Sequence, residues 1–287
     1  MSGAPQVAVV TDSTAYLPPA VIERYGLTVV PLQVVLDGRV GTEGEQVTPA
    51  DVAAALSHRR ARVSTSRPPP TAFLSAYDDA AKATGATDIV SVHLSGELSG
   101  TVESARLAAA EAAPRLRVRV VDSRCTAMGL GFAVMAAAAV AAGGGGLAAV
   151  AEAAAAQAAR TSSLFYVDTL EHLRRGGRLG TAAALVGSAL AVKPILHVVD
   201  GKIAPLTRVR TAAKALARLE ELAVEAAAGG PVELAVHHLA APHKAAQLAD
   251  RLRYRIARAD EVYVSEVGAV VGAHVGPGLL GVVVARR

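Results

Sequence analysis

The chain has 287 residues, 52% of them apolar and 19% charged, which is core material for one large domain or two moderate ones and excludes a disordered or fibrous protein. Its 29 Lys and Arg against 25 Asp and Glu leave a formal charge of +4. The aromatic set is 6 Tyr, 3 Phe and no Trp, poor material for stacking on bases, so nucleic acid is not an expected partner.

A single cysteine, Cys125, excludes an internal disulfide and a four-cysteine zinc site. The first residues lack a basic stretch followed by an apolar core. The uncharged stretch Thr126 to Ala142, before the glycine run, is rich in Ala and Gly and falls short of the roughly 20 apolar residues a membrane span needs. It reads as a helix buried on most faces, and the cytoplasm is the expected location.

In chain order, strand-like Val7–Val10 is followed by a segment from Pro18 to Tyr25 and by a strand over Val29–Leu36. Helical Pro49–His58 and Thr71–Ala83 lead to strand Asp88–His93, helix Val102–Ala113 and strand Arg117–Val121. Such alternation predicts an α/β domain with a mainly parallel sheet. Its strands end in small polar residues, Thr11-Asp12-Ser13, Leu94-Ser95-Gly96 and Asp122-Ser123, at the carboxyl ends where open α/β sheets bind ligands.

The run Gly143–Gly146 separates two Ala-rich helices, Thr126–Ala142 and Leu147–Arg160, and the pattern then changes. Lys193–Val199 and Lys202–Leu206 flank Asp200-Gly201, a signal for a hairpin with a type I′ turn. Helices Thr211–Ala228 and Pro242–Ala257 bracket strand Val232–Leu239, and strands Glu261–Val267 and Leu279–Ala285 follow. The expected organisation is an N-terminal α/β domain over 1–160 and a C-terminal α/β domain over 161–287 with a mixed or antiparallel sheet.

Four segments are candidates for chemistry. Val63-Ser64-Thr65-Ser66-Arg67 precedes three prolines, which hold the backbone extended and leave the hydroxyls available. His93 to Thr101 follows a strand and opens a helix, so it reads either as an anion cradle or as plain N-capping by Ser99 or Thr101. The glycine-rich tail Gly268–Gly278 reads as a loop holding one histidine, His274. Leu173–Gly180 places Arg174, Arg175 and Arg178 in a tight turn before a further helix, suited to carboxylate or phosphate or simply solvated, and Arg208 and Arg210 extend the same basic face.

Other chemistries find less support. Gly276-Pro277-Gly278-Leu279-Leu280-Gly281 matches a dinucleotide-binding pattern, but a strand follows it where a crossover helix is needed. Gly96-Glu97-Leu98-Ser99-Gly100 misses the nucleophile elbow by one residue, and there is no Walker A loop. His237, His238 and His243 lack a metal-binding spacing, so no metal and no cofactor are expected.

Taken in order, Thr11-Asp12-Ser13, Thr65-Ser66 before proline, Leu98-Ser99-Gly100-Thr101, Asp122-Ser123, Leu173–Gly180, Lys193-Pro194-Ile195 and His274-x-Gly276-Pro277-Gly278 make the chain resemble the DegV family over nearly its whole length. The resemblance implies two α/β domains with a fatty acid in a pocket at their interface. It assigns the carboxyl group to Thr65, Ser95 and His274, with Ser66 as a neighbour sharing the site and Ser13 shaping the pocket floor.

It further implies an acyl-binding subunit that presents its ligand to a fatty acid kinase, with Arg174, Arg178, Arg208 and Arg210 as the docking residues, no catalysis of its own, and a transient membrane contact among its partners. Arg67 and Glu97 depart from the family pattern near the carboxyl end. The alternative is an enzyme acting on a lipid-like substrate. It would be a serine hydrolase using Ser95 or Ser99 with His274 and Asp12 or Asp122, or a phosphotransferase using the arginine turn.

Overall fold

The computed structural model of the protein describes residues 7–58, 62–180 and 193–287. Strand β1 (Val7–Asp12) runs through a short 3-10 turn, Ser13–Ala15, to α1 (Pro19–Tyr25), β2 (Thr28–Val30), β3 (Gln33–Leu36), β4 (Arg39–Thr42), α2 (Pro49–Ser57) and β5 (Val63–Ser66). There follow α3 (Pro70–Thr84), β6 (Asp88–His93), α4 (Thr101–Ala112), β7 (Arg117–Asp122), α5 (Met128–Ala142) and α6 (Leu147–Ala159). The remainder comprises β8 (Thr161–Tyr166), α7 (Glu171–Arg175), β9 (Lys193–Val199), β10 (Lys202–Val209), α8 (Ala212–Ala227), β11 (Val232–His238), α9 (Pro242–Arg255), β12 (Ala259–Glu266), α10 (Ala269–Val275) and β13 (Leu280–Arg286).

The helix ends follow local chemistry. Proline opens α1, α2, α3 and α9, where its missing N–H costs nothing. Thr48 and Asp51 form a reciprocal capping box on α2, and Gly26 and Gly85 close α1 and α3 in the left-handed conformation. The Asp200-Gly201 turn has positive φ at both residues, as a type I′ hairpin requires, and joins β9 to β10 antiparallel.

The chain divides into two compact units. The first holds the described residues up to Leu32 together with Ser66–Ala159. Its sheet has the order β2-β1-β6-β7 with every pairing parallel. One face carries Ala8, Val10 and Ile89 against Phe73 and Tyr77 of α3 and Ala105 and Ala108 of α4. Helix α5 is apolar all round and buried along most of its length, as expected.

The second unit holds Gln33–Thr65 and Arg160–Arg287. Its mixed sheet runs β10-β9-β8-β13-β11-β12, and helices α8 and α9 cover one face through Leu219, Ala223, Leu248 and Leu252. The segment 33–65 adds a small sheet, β4-β3-β5.

The α/β class, the parallel first sheet and the mixed second sheet agree with the sequence reading. Three local features differ. The strand read over Val29–Leu36 is two strands of different sheets, because Pro31 offers no N–H and the next amide, Leu32, donates to Ser13 Oγ at 3.0 Å. Residues 33–65 therefore group with the second unit, so the first unit is not one continuous stretch. The glycine-rich tail forms α10, whose Val270 amide is taken by the buried Glu43 carboxylate at 2.8 Å. The helix expected after Gly180 lies outside the described residues.

Candidate functional site

In the second unit, the extended segment before the prolines is β5, and its alternation turns Thr65 and Ser66 to opposite faces. Thr65 Oγ1 lies 2.9 Å from Nε2 of His274, 209 residues later in the chain. His274 sits in the last turn of α10. Ser66 is exposed and donates to the Arg67 carbonyl at 3.3 Å.

His274 is held from three sides. Its helix is anchored at the other end by Glu43 and packs through Gly272 on Leu239 and Val52. Its ring lies on Gly176, where a Cβ would land on Nδ1. In reciprocal fashion, the ring of His172 in α7 lies on Gly276, just past the end of α10, and the Asp168 carboxylate lies on Gly278. Each of these two short helices thus ends in a glycine that accepts the other's imidazole. Tyr166 donates to Asp168 Oδ1 at 2.7 Å, and Lys193 Nζ donates to the Asp168 carbonyl at 2.9 Å, which fixes the strand end beneath.

Burial, reinforced by the charge of Arg178, lowers the pKa of His274 to about 4, so the ring is neutral at pH 7. Burial, with Arg175 nearby, also lowers that of His172. Nδ1 of His274 is buried and has no hydrogen-bond partner among the described residues. A catalytic base of the serine-hydrolase type needs a carboxylate on that nitrogen. Among the described residues, the pair is a hydroxyl and a neutral imidazole with no carboxylate on Nδ1.

Around this pair, the basic turn is partly self-neutralised. Arg174 and Arg175 both hold Glu171, Arg174 with two bonds at 2.9 and 2.6 Å, and the Arg174 hydrogen bond leads in holding the Glu171 pKa down at about 2. Arg178 donates to the Gly176 carbonyl. Arg208 on β10 and Arg210 just beyond it are exposed.

In the first unit, Ser95 is fully buried at the end of β6. Its amide donates to the Cys125 carbonyl at 2.8 Å, and its Oγ accepts from the Glu97 amide at 3.2 Å. The preceding amide, Leu94, donates to Asp12 Oδ2 at 3.0 Å, and Ser123 Oγ donates to the His93 carbonyl at 2.7 Å. Three strand ends, those of β1, β6 and β7, therefore fix this one serine. Asp122 accepts from the Gly96 and Arg124 amides, and Ser99 Oγ pairs with Thr101 Oγ1 at 2.8 Å instead of capping α4. Ser13 ties the end of β2 to that of β1. Arg67 lies over Gly100 at the start of α4. Burial pushes the Cys125 thiol up to about 12, leaving it unreactive.

Sequence reasoning missed a chain of buried polar groups behind Ser95. Asp12 Oδ2 lies 3.0 Å from His93 Nδ1, His93 Nε2 2.6 Å from Ser91 Oγ, and Ser91 Oγ 3.0 Å from the Tyr77 hydroxyl. All four residues are at 0% exposure, so this acid–imidazole–hydroxyl order is internal support and meets no substrate. It engages Asp12, which the hydrolase alternative assigned elsewhere. Glu43 and His172 were also missed. The only sequence trace of the latter pair is the spacing of His172 from Gly176 and of His274 from Gly276.

Among the described residues, no group of three or more His, Cys, Asp or Glu side chains is placed to hold a metal ion, and no helix is long and apolar enough to cross a membrane.

Residues 6–287 match the family model described as "Uncharacterised protein, DegV family". A DegV domain-containing protein of Streptomyces coelicolor is 57% identical over 281 residues, covering 98% of this chain and 99% of its own. Two solved structures superpose over 98% of this chain, each at 33% identity. One is a DegV family protein from Thermus thermophilus described by its fatty acid binding, with a TM-score of 0.91 and 100% of that chain covered. The other is DegV from Bacillus subtilis, described as a fatty acid binding protein, with a TM-score of 0.88 and 99% covered. A family match over almost every residue, with the same fold throughout, leaves one conclusion: this chain belongs to the DegV family.

Proposed function

We propose that this protein binds a long-chain fatty acid, with its carboxyl group held at the Thr65–His274 pair and with Ser95 as a further donor, and presents that end to a fatty acid kinase that makes acyl phosphate. The observation that carries the reading is the Thr65–His274 pair, a hydroxyl and a neutral imidazole with no carboxylate behind it among the described residues. Such a neutral pair binds a carboxyl oxygen without the desolvation cost of a buried ion pair, and it lacks the activation that a nucleophile requires. The fatty acid binding described for the Thermus thermophilus and Bacillus subtilis proteins supports the ligand class.

Affinity would come from the tail. At about 0.8 kcal/mol per buried methylene, some fourteen methylenes contribute on the order of 11 kcal/mol before the ordering costs of binding are subtracted. The polar groups then set direction more than strength. Arg208 and Arg210, with Arg174 and Arg178, form the docking face for an acidic patch on the kinase. The protein itself carries out no chemistry.

Native mass spectrometry of protein purified without detergent tests the binding half. A bound acid of a few hundred daltons, released on denaturation and identified by gas chromatography, is the expected result. A mass equal to the bare chain after several gentle preparations, with no uptake of added stearate, would overturn the reading.

A further inference from the structure

The 2.9 Å contact between Thr65 Oγ1 and His274 Nε2 can be donated from either side, and the choice decides which atom meets a ligand. A neutral imidazole carries one N–H. If Thr65 donates, the proton of His274 must sit on Nδ1, which is buried against Gly176 with no acceptor among the described residues. A buried N–H without a partner bears its full desolvation penalty, and orphaned N–H groups are rarer in folded proteins than orphaned acceptors. The hydroxyl would then offer only lone pairs, which repel a carboxylate.

If instead Nε2–H donates to Thr65, the bare Nδ1 lone pair faces the glycine, and the nearby Arg178 cation suits a lone pair better than a second N–H. The single proton of Thr65 is then free to point away from the ring. The packing around the ring allows little else. Glu43 anchors α10, and Gly176 and Gly276 interlock it with α7, which holds the imidazole against Gly176.

We infer that His274 is held as the Nε2–H tautomer and acts through Thr65 as a positioning residue, so that the atom presented to the ligand is the Thr65 hydroxyl proton and the site selects a head group that only accepts hydrogen bonds. An ionised carboxylate meets that requirement. A fatty alcohol, which must also place a donor, meets it poorly. The identity of the ligand rests on the fatty acid reading, whereas the tautomer does not.

Two measurements on the full chain test this. In a long-range proton–nitrogen correlation spectrum of protein labelled with 15N-histidine at pH 7, the His274 signals, assigned by their loss in His274→Gln, should show a protonated Nε2 and a bare Nδ1. A protonated Nδ1 overturns the inference, whether or not the protein binds lipid.

The second measurement is stearate affinity. Thr65→Val should weaken it about ten-fold or more and His274→Ala by a similar factor, while the double variant is no weaker than Thr65→Val alone, as expected for groups acting through one atom. His274→Gln, whose amide N–H replaces Nε2–H, should recover affinity to within about three-fold of wild type, a rescue that a merely structural role would not give. If the double variant loses the product of the two single effects, His274 contacts the ligand itself and the inference falls. If wild type takes up no stearate, the fatty acid reading fails, and the spectrum alone decides the tautomer.

Discussion

At the scale of single residues, His274 and His237 carry a measurable signature in acid. Burial is the main cause in both cases, and each has its pKa lowered to about 4. The unfolded chain protonates such a ring near pH 6.5, so between pH 6.5 and about 4 it binds more protons than the folded chain and stability falls as pH falls. The contribution of each ring is complete above pH 6.5 and amounts to ~3 kcal/mol across the whole window. Urea denaturation at pH 7 and pH 4.5 should show the loss, and His274→Gln, which has nothing to protonate, should lose less than wild type over the same interval. An equal loss would place the acid sensitivity elsewhere.

Asp12 makes a second residue-scale prediction. Its carboxylate accepts from the Thr14 amide and hydroxyl, the Leu94 amide and His93. Asp12→Ala leaves those donors buried and unpaired, a loss of about 3–5 kcal/mol. The midpoint of thermal unfolding reads it. Ser91→Ala, between His93 and Tyr77 in the same chain, removes one hydroxyl and should cost about 1–2 kcal/mol.

Among the elements, the α7–α10 interlock is tested by two adjacent glycines. Gly176 has an ordinary helical φ of −74°, so alanine there meets no φ strain; its Cβ meets the His274 ring and, less closely, the His172 carbonyl. Gly177 has a φ of +69° with open space around a new Cβ, so alanine there meets strain and no neighbour. Gly177→Ala should therefore cost about 1–2 kcal/mol of stability and leave lipid occupancy unchanged. Gly176→Ala should displace His274 and lower occupancy by about ten-fold with a smaller change in stability. Extraction of bound acid from the two purified variants separates them, and equal occupancies would show that the interlock does not position the site.

The helices and most strands were legible from periodicity, capping residues and turn signals, all of which are properties of neighbours in sequence. α10 was not, because four glycines within the tail weaken its helix propensity, and its start is set by Glu43, 227 residues away in the chain. Strand β8 was hidden by its Thr161-Ser162-Ser163 opening, which is polar but paired with β13, with β9 joining from Ser163 onward.

For the whole molecule, the prediction concerns charge. Excess basic residues at Arg208 and Arg210 are exposed, whereas Arg174 and Arg175 share Glu171. The Arg208→Glu/Arg210→Glu double variant should reduce kinase-coupled acyl phosphate formation by about ten-fold and flatten its decline with added salt, while the bound fatty acid is retained. Unchanged turnover with a purified kinase would remove these residues from the docking face.

The sequence by itself determined the α/β class, the change of pattern near residue 160, the residue types of the candidate site and, through seven ordered motifs, the family. Those are encoded locally, in alternation and in short spacings. Only the tertiary structure decided that Gln33–Thr65 joins the second unit, that Thr65 and His274 share a hydrogen bond, and that Asp12 is engaged by His93 and is not available to a triad. Each of these is a contact between residues far apart in the chain. Its existence depends on which faces are left to pack and on which buried polar groups still need a partner, and no local pattern records either.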